Sequence, residues 1–117
     1  MSYDYKVFRC VGAVPASLEE HMMGAEPAPF ESYESVKQAI SRSFPGISWN
    51  DSEQTGTVEN ETGRFEFQCG EDFLGLGMFS IETSFRQDIA QSHAVLRTLC
   101  RAEGWFALDE QSMEIVG

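Results

Sequence analysis

The stretch Arg64–Cys69, RFEFQC, alternates apolar and polar residues without a break. Successive side chains of an extended chain point to opposite faces, so Phe65, Phe67 and Cys69 share one side and Arg64, Glu66 and Gln68 the other. Further on, Phe79 and Ile81 alternate with Met78, Ser80 and Glu82. Two such runs joined by a glycine-bearing connection predict a hairpin of Arg64–Cys69 with Leu76–Thr83. The register that sets Phe67 opposite Phe79 also sets Phe65 opposite Ile81. On the other face it sets Arg64 opposite Glu82 and Glu66 opposite Ser80, so one register yields an apolar face and an opposite-charge pair. A chain with such a face must cover it with a second layer.

The rest of the chain supplies that layer. Tyr5–Val11, YKVFRCV, is apolar at both parities and predicts a central strand. A long connection, from about Gly12 to Glu31, follows it, with one helical turn at Leu18–Met22. Ser32 then caps a helix whose Tyr33, Val36, Ile40 and Phe44 fall on one stripe, and Pro45-Gly46 ends it. Ile47–Trp49 predicts a short strand and NDSEQTG a polar loop. The segments TVE and RFEFQC flank NETG, a turn whose glycine tolerates positive φ. Gly70–Gly77 predicts a hairpin loop.

A second helix opens on a capping box, Ser84-x-x-Gln87, and closes at Gly104. Its stripe is Ile89, His93, Leu96 and Cys100, with Val95 and Leu99 beside it. WFALD and MEIV predict two last short strands. The fold class is α+β: a mostly antiparallel sheet with two amphipathic helices on one face, a two-layer sandwich. The 117 residues make a single domain, 1–117, and a domain of this size removes roughly two-thirds of its unfolded surface from water.

Charge narrows the partners. The formal charge is -11, from 19 acids against 8 bases, and the excess is uneven. Asp51–Glu82 holds eight acids and one base, Arg64; Glu19–Glu34 holds five acids and no lysine or arginine. A field of this sign repels nucleic acid and anionic membranes and draws a basic partner inward. No apolar run approaches the roughly 20 residues of a membrane helix. The opening MSYDYKVFRC scatters charges and has no apolar stretch, so no secretory signal is expected. Cys10, Cys69 and Cys100 are an odd number without a C-x-x-C pair. They argue against a disulfide framework and a thiolate zinc site, and the expected setting is the cytoplasm.

Catalytic signatures are missing. No G-x-S-x-G elbow occurs, and the glycines of GEDFLGLG lead into a strand, with acids that repel phosphate. No catalytic residue, metal ligand or cofactor is expected. His21, beside Glu19 and Glu20, lacks converging ligands, because successive residues do not point at one centre. His93 reads as a hydrogen-bonded boundary residue, and Asp109 as the first residue of a turn. The carboxylates read mostly as solvated surface.

The stretch Ser17–Ser35, SLEEHMMGAEPAPFESYES, remains. Met22 and Met23 are adaptable apolar groups, and Pro27 and Pro29 stiffen a segment bearing one aromatic, Phe30. It reads as a partner-facing loop; the plainer alternative packs Leu18, Met22 and Phe30 back onto the core. The candidate partner-binding set is therefore Glu19, Glu20, Met22, Met23, Phe30, Asp51, Glu53, Glu71 and Asp72.

The opening MSYDY, the helix running into FPGISW, and the late GWFALD resemble a diffuse group of small bacterial α+β proteins, some of which look like immunity proteins encoded beside secreted toxins. That resemblance transfers no site residue. It implies a non-enzymatic binding module that occludes a basic protein partner. Two other readings stand beside it: a small-ligand binder or enzyme with a pocket between helices and sheet, and a homodimer formed through a sheet edge or the long loop.

Overall fold

The structure, a computed structural model, describes residues 2–9, 29–84 and 87–116, and the backbone alone of Ser2. The elements run β1 (Ser2–Arg9), α1 (Tyr33–Ser43), β2 (Ser48–Asn50), β3 (Thr55–Asn60), β4 (Gly63–Gln68), α2 (Glu71–Gly75), β5 (Met78–Ser84), α3 (Ile89–Glu103), β6 (Trp105–Asp109) and β7 (Glu114–Val116). Among the described residues seven strands form one sheet in the order β2-β3-β4-β5-β1-β6-β7, and every neighbouring pair is antiparallel. The α+β sandwich expected from the alternation is the architecture found.

β1 lies between β5 and β6, as its two apolar parities require. Tyr5, Val7, Phe65, Phe67, Phe79, Ile81 and Ala107 face one side and are fully buried. The apolar stripes of α1 and α3 close over them: Tyr33, Val36 and Ile40 from one helix, Leu96, Leu99 and Cys100 from the other, all in the same core cluster. Burying each such side chain contributes roughly 1.5–3 kcal/mol, so this layer dominates stability. Phe44 packs on both Phe65 and Phe67, with ring centroids 5.4 and 5.1 Å away.

The helix ends follow their residues. Ser32 Oγ accepts from the Ser35 backbone N–H and starts α1. Gly104 takes φ 73° at the end of α3 and donates to Cys100 O, a conformation a side chain disfavours. The start of α3 differs from expectation. Asp88, not Ser84, is the N-cap, and its carboxylate accepts from Gln91 N. Ahead of the helix, Gln87 Oε1 accepts from Ser84 N while Gln87 N donates to the Ser84 backbone carbonyl. The same Oε1 also accepts from Arg64 N, which ties that chain to β4. With the helix starting at Ile89, that residue stands on its first turn and is exposed.

The hairpin register is corrected by two residues. Phe65 pairs with Thr83, Glu66 with Glu82, Phe67 with Ile81 and Gln68 with Ser80. A shift of two keeps every side chain on its face, so the apolar layer survives, while Arg64 moves away from Glu82. The cause is the connection. Residues 71–75 form the short helix α2 instead of an open loop, and β5 starts at Met78 rather than Leu76.

Candidate functional site

The two connections β2–β3 and β4–β5 leave the sheet at the same end, because Thr55 and Gln68 are paired neighbours. Gln54 joins them. Its backbone, at φ 56°, presents its carbonyl to Cys69 N at 2.9 Å, and its side-chain oxygen accepts from Glu71 N at 2.9 Å. The N-cap of α2 is Gly70, which has no side chain to offer, so Gln54 satisfies a helix-end N–H from across the sheet. Asn50 Oδ1 shapes the other turn by accepting from Glu53 N and Ser52 Oγ. The result brings four of the expected partner-binding residues, Asp51, Glu53, Glu71 and Asp72, to one end of the molecule, all exposed.

Two large apolar side chains stand among them. Leu74 is buried and anchors α2, while Phe73 is 55% and Leu76 64% exposed. Sequence reading placed Leu76 in a strand and missed both, since an isolated five-residue helix has no periodicity to detect. Their one signal was a Phe and two Leu within six residues of a turn-rich, acidic segment.

Phe30 does not serve as the outward anchor expected of it. It is buried, edge-on to Phe79 and Trp105 at centroid distances of 5.4 and 5.5 Å. Its N–H donates to Leu74 O, so the chain entering α1 is stitched to the acidic end. For Phe30 the plainer alternative, packing back onto the core, is the one realised. Glu19, Glu20, His21, Met22 and Met23 lie outside the described residues, as does Cys10.

Asp51 is the best-organised of the four acids. Its Oδ1 accepts from Tyr33 Oη at 2.7 Å and from Lys37 Nζ at 2.8 Å. The Lys37 hydrogen bond, then that of Tyr33, holds the Asp51 carboxyl below its ordinary range, and Asp51 in turn raises Lys37. Burial, then the Asp51 bond, pushes the Tyr33 hydroxyl up. Trp49, on β2, stands edge-on to Tyr33.

The sheet face turned away from α1 and α3 is also acidic. Glu66, Glu82 and Asp4 occupy directly paired positions on β4, β5 and β1. In the next row Lys6 donates to Ser80 Oγ at 2.7 Å and lies 3.7 Å from Glu110. Beyond that, Phe8 stacks on Phe106 at 5.4 Å.

Asp109 is fully buried beneath α3. Its Oδ2 accepts from Tyr3 Oη and from His93 Nε2, each at 2.7 Å, and its Oδ1 accepts from the N–H groups of Gln111 and Ser112. Burial alone would raise this carboxyl; the hydrogen bonds from Tyr3, Ser112, His93 and Gln111 outweigh it and hold it low. Burial and the same contact push Tyr3 up to about 12. An oriented histidine beside a carboxylate is the geometry of a general base, but that role needs a substrate space at the ring. Cavities of about 170, 400 and 480 Å³ are walled by other residues, among them Arg42, which lines all three. Its side chain is 14% exposed. The arrangement ties β1, α3 and the β6–β7 turn together.

Among the described residues no three His, Cys, Asp or Glu side chains converge as metal ligands. Cys69 and Cys100 are buried, and burial pushes both thiols up to about 12, away from the reactive thiolate. Among the described residues no helix is long and apolar enough to cross a membrane. No protein-family model, curated protein or solved structure matches the chain.

Proposed function

We propose that the chain is an acidic binding module whose β2–β3 turn and α2 dock a basic protein partner and occlude it. The carrying observation is that two large exposed apolar side chains, Phe73 and Leu76, directly follow Glu71 and Asp72 on and just after α2, and that Gln54 ties this helix to the turn bearing Glu53. Charge of one sign steers encounter, and exposed aromatic and aliphatic groups supply the buried centre that fixes residence time. Isolated exposed apolar residues are ordinary, but two of them three residues apart, next to Glu71 and Asp72, suit the apolar centre and polar rim of an interface. The resemblance to immunity proteins points to a basic toxin as the partner and to the cytoplasm as the setting.

The test uses capture from the native cell followed by binding kinetics. A partner of basic composition is expected to be retained by the wild-type chain and lost by a Glu53→Lys, Glu71→Lys, Asp72→Lys variant. Its association rate should fall as salt rises past the concentration at which the Debye length is about 10 Å. Phe73→Ala with Leu76→Ala should instead speed dissociation. An acidic partner, or capture indifferent to both sets of changes, would overturn the assignment.

A further inference from the structure

Lys37 Nζ lies 5.8 Å from the Tyr33 ring centroid, 6.0 Å from that of Trp49, and 2.8 Å from Asp51 Oδ1. The two rings meet at 79° with centroids 6.0 Å apart. Two aromatic faces and a carboxylate around one ammonium are the elements of a cation-binding cage. The walls are set without the ammonium. Tyr33 Oη orients the carboxylate, and Trp49 Nε1 donates to Ser41 Oγ at 3.0 Å. Trp49 also lies flat over Gly56, where an added Cβ would stand only 2.7 Å from its ring. The site opens to solvent: the Asp51 side chain is 64% exposed and that of Lys37 24%. A shallow cavity of about 400 Å³ beside Glu34, Lys37 and Ser41 leaves room for a displaced side chain. The Asp51 end of the ion pair faces solvent, where such pairs contribute little, which favours exchange of the resident lysine.

We propose that Tyr33, Trp49 and Asp51 form a binding site for an alkylammonium group, which Lys37 occupies in the free chain and which an incoming ammonium takes over. Where the ammonium is a partner's lysine, this rests on the docking reading above; the cage itself does not. The probe is n-butylammonium chloride, titrated against sodium chloride at matched ionic strength, with the Trp49 indole N–H resonance as readout. An occupied cage lowers apparent affinity by the fraction free, so Lys37→Ala should saturate at a concentration at least about fivefold below wild type. Adding Asp51→Asn should abolish the saturable shift. Circular dichroism confirms the fold of Lys37→Ala, and Lys37→Gln replaces it should it not fold. The absence of a saturable shift once Lys37 is removed, or one that survives Asp51→Asn, would overturn the proposal. Phe73→Ala with Leu76→Ala should leave this titration unchanged, so loss of partner binding and loss of the cage are read separately.

Discussion

His93 donates from Nε2 to Asp109 Oδ2 across 2.7 Å, and this contact fastens α3 to the β6–β7 turn. An ionised carboxylate only accepts, so the proton of the pair sits on Nε2. Tyr3 reaches the same oxygen from β1. Asp109→Ala would leave a hydroxyl, an imidazole N–H and two backbone N–H groups without their acceptor. Buried groups stranded in this way cost about 2–5 kcal/mol in sum. Urea unfolding should register that loss for Asp109→Ala and a smaller one for His93→Ala, whose side chain touches solvent. Equal stability of Asp109→Ala and wild type would show that the hub does not hold these elements.

The same hub sets a pH dependence. Folding holds the Asp109 carboxyl below its ordinary value of 3.8, so the unfolded chain binds this proton first as pH falls. Its contribution is therefore complete above the ordinary value and is lost as pH drops through the lower folded value. The part of the stability gap between wild type and Asp109→Asn that the carboxylate supplies should shrink below about pH 4. A gap that widens on acidification would reverse the assigned sign.

On the opposite face, Glu82 stands between Glu66 and Asp4 at directly paired positions. Like charges so placed are destabilising, on a scale of about 0.2–1 kcal/mol per pair. Glu82→Gln relieves both pairs at once and should raise the unfolding midpoint at low salt. The gain should shrink as added salt screens the row. A lower midpoint for Glu82→Gln would mean that the carboxylate makes a compensating contact.

The face of each strand was legible because alternation has a period of two, and a register error of two leaves parity intact. Phe65, Phe67, Phe79 and Ile81 are buried in either register. The register itself was not legible. It depended on whether residues 71–75 coil into α2, and Gln54, brought alongside only by the fold, holds that helix in place. The caps at Ser32 and Gly104 were readable as local chemistry. The start of α3 was not, since Ser84 and Asp88 are both competent caps and tertiary contacts of Gln87 decide between them. Asp51, Glu53, Glu71 and Asp72 could be named from charge alone. Phe73 and Leu76 could not, because an apolar residue in a short connection is ordinarily read as core. Tyr3, His93 and Asp109 come from distant parts of the chain, and no spacing rule joins them.

Gly56 tests how Trp49 is held. It pairs with Trp49 across β2 and β3, and the three atoms nearest an added Cβ, at 2.7, 2.8 and 2.9 Å, all belong to the Trp49 ring. The absence of a side chain at 56 is what lets the indole lie on the strand and reach Ser41 with its N–H. Gly56→Ala should push the ring off the strand and cost about 1–3 kcal/mol, the range for overpacking a filled site. It should also release the Trp49 N–H from Ser41, seen as a shift of the indole resonance toward its solvent-exposed position. Were the clash with Trp49 the cause, the penalty would belong to the pair and not to the glycine. In a Trp49→Ala background, Gly56→Ala should then cost far less, and alanine's better strand propensity would offset part of what remains. The measurement is a double-mutant cycle by urea unfolding. The same cost in both backgrounds would place the requirement for glycine in the backbone of β3 and not in its contact with the indole.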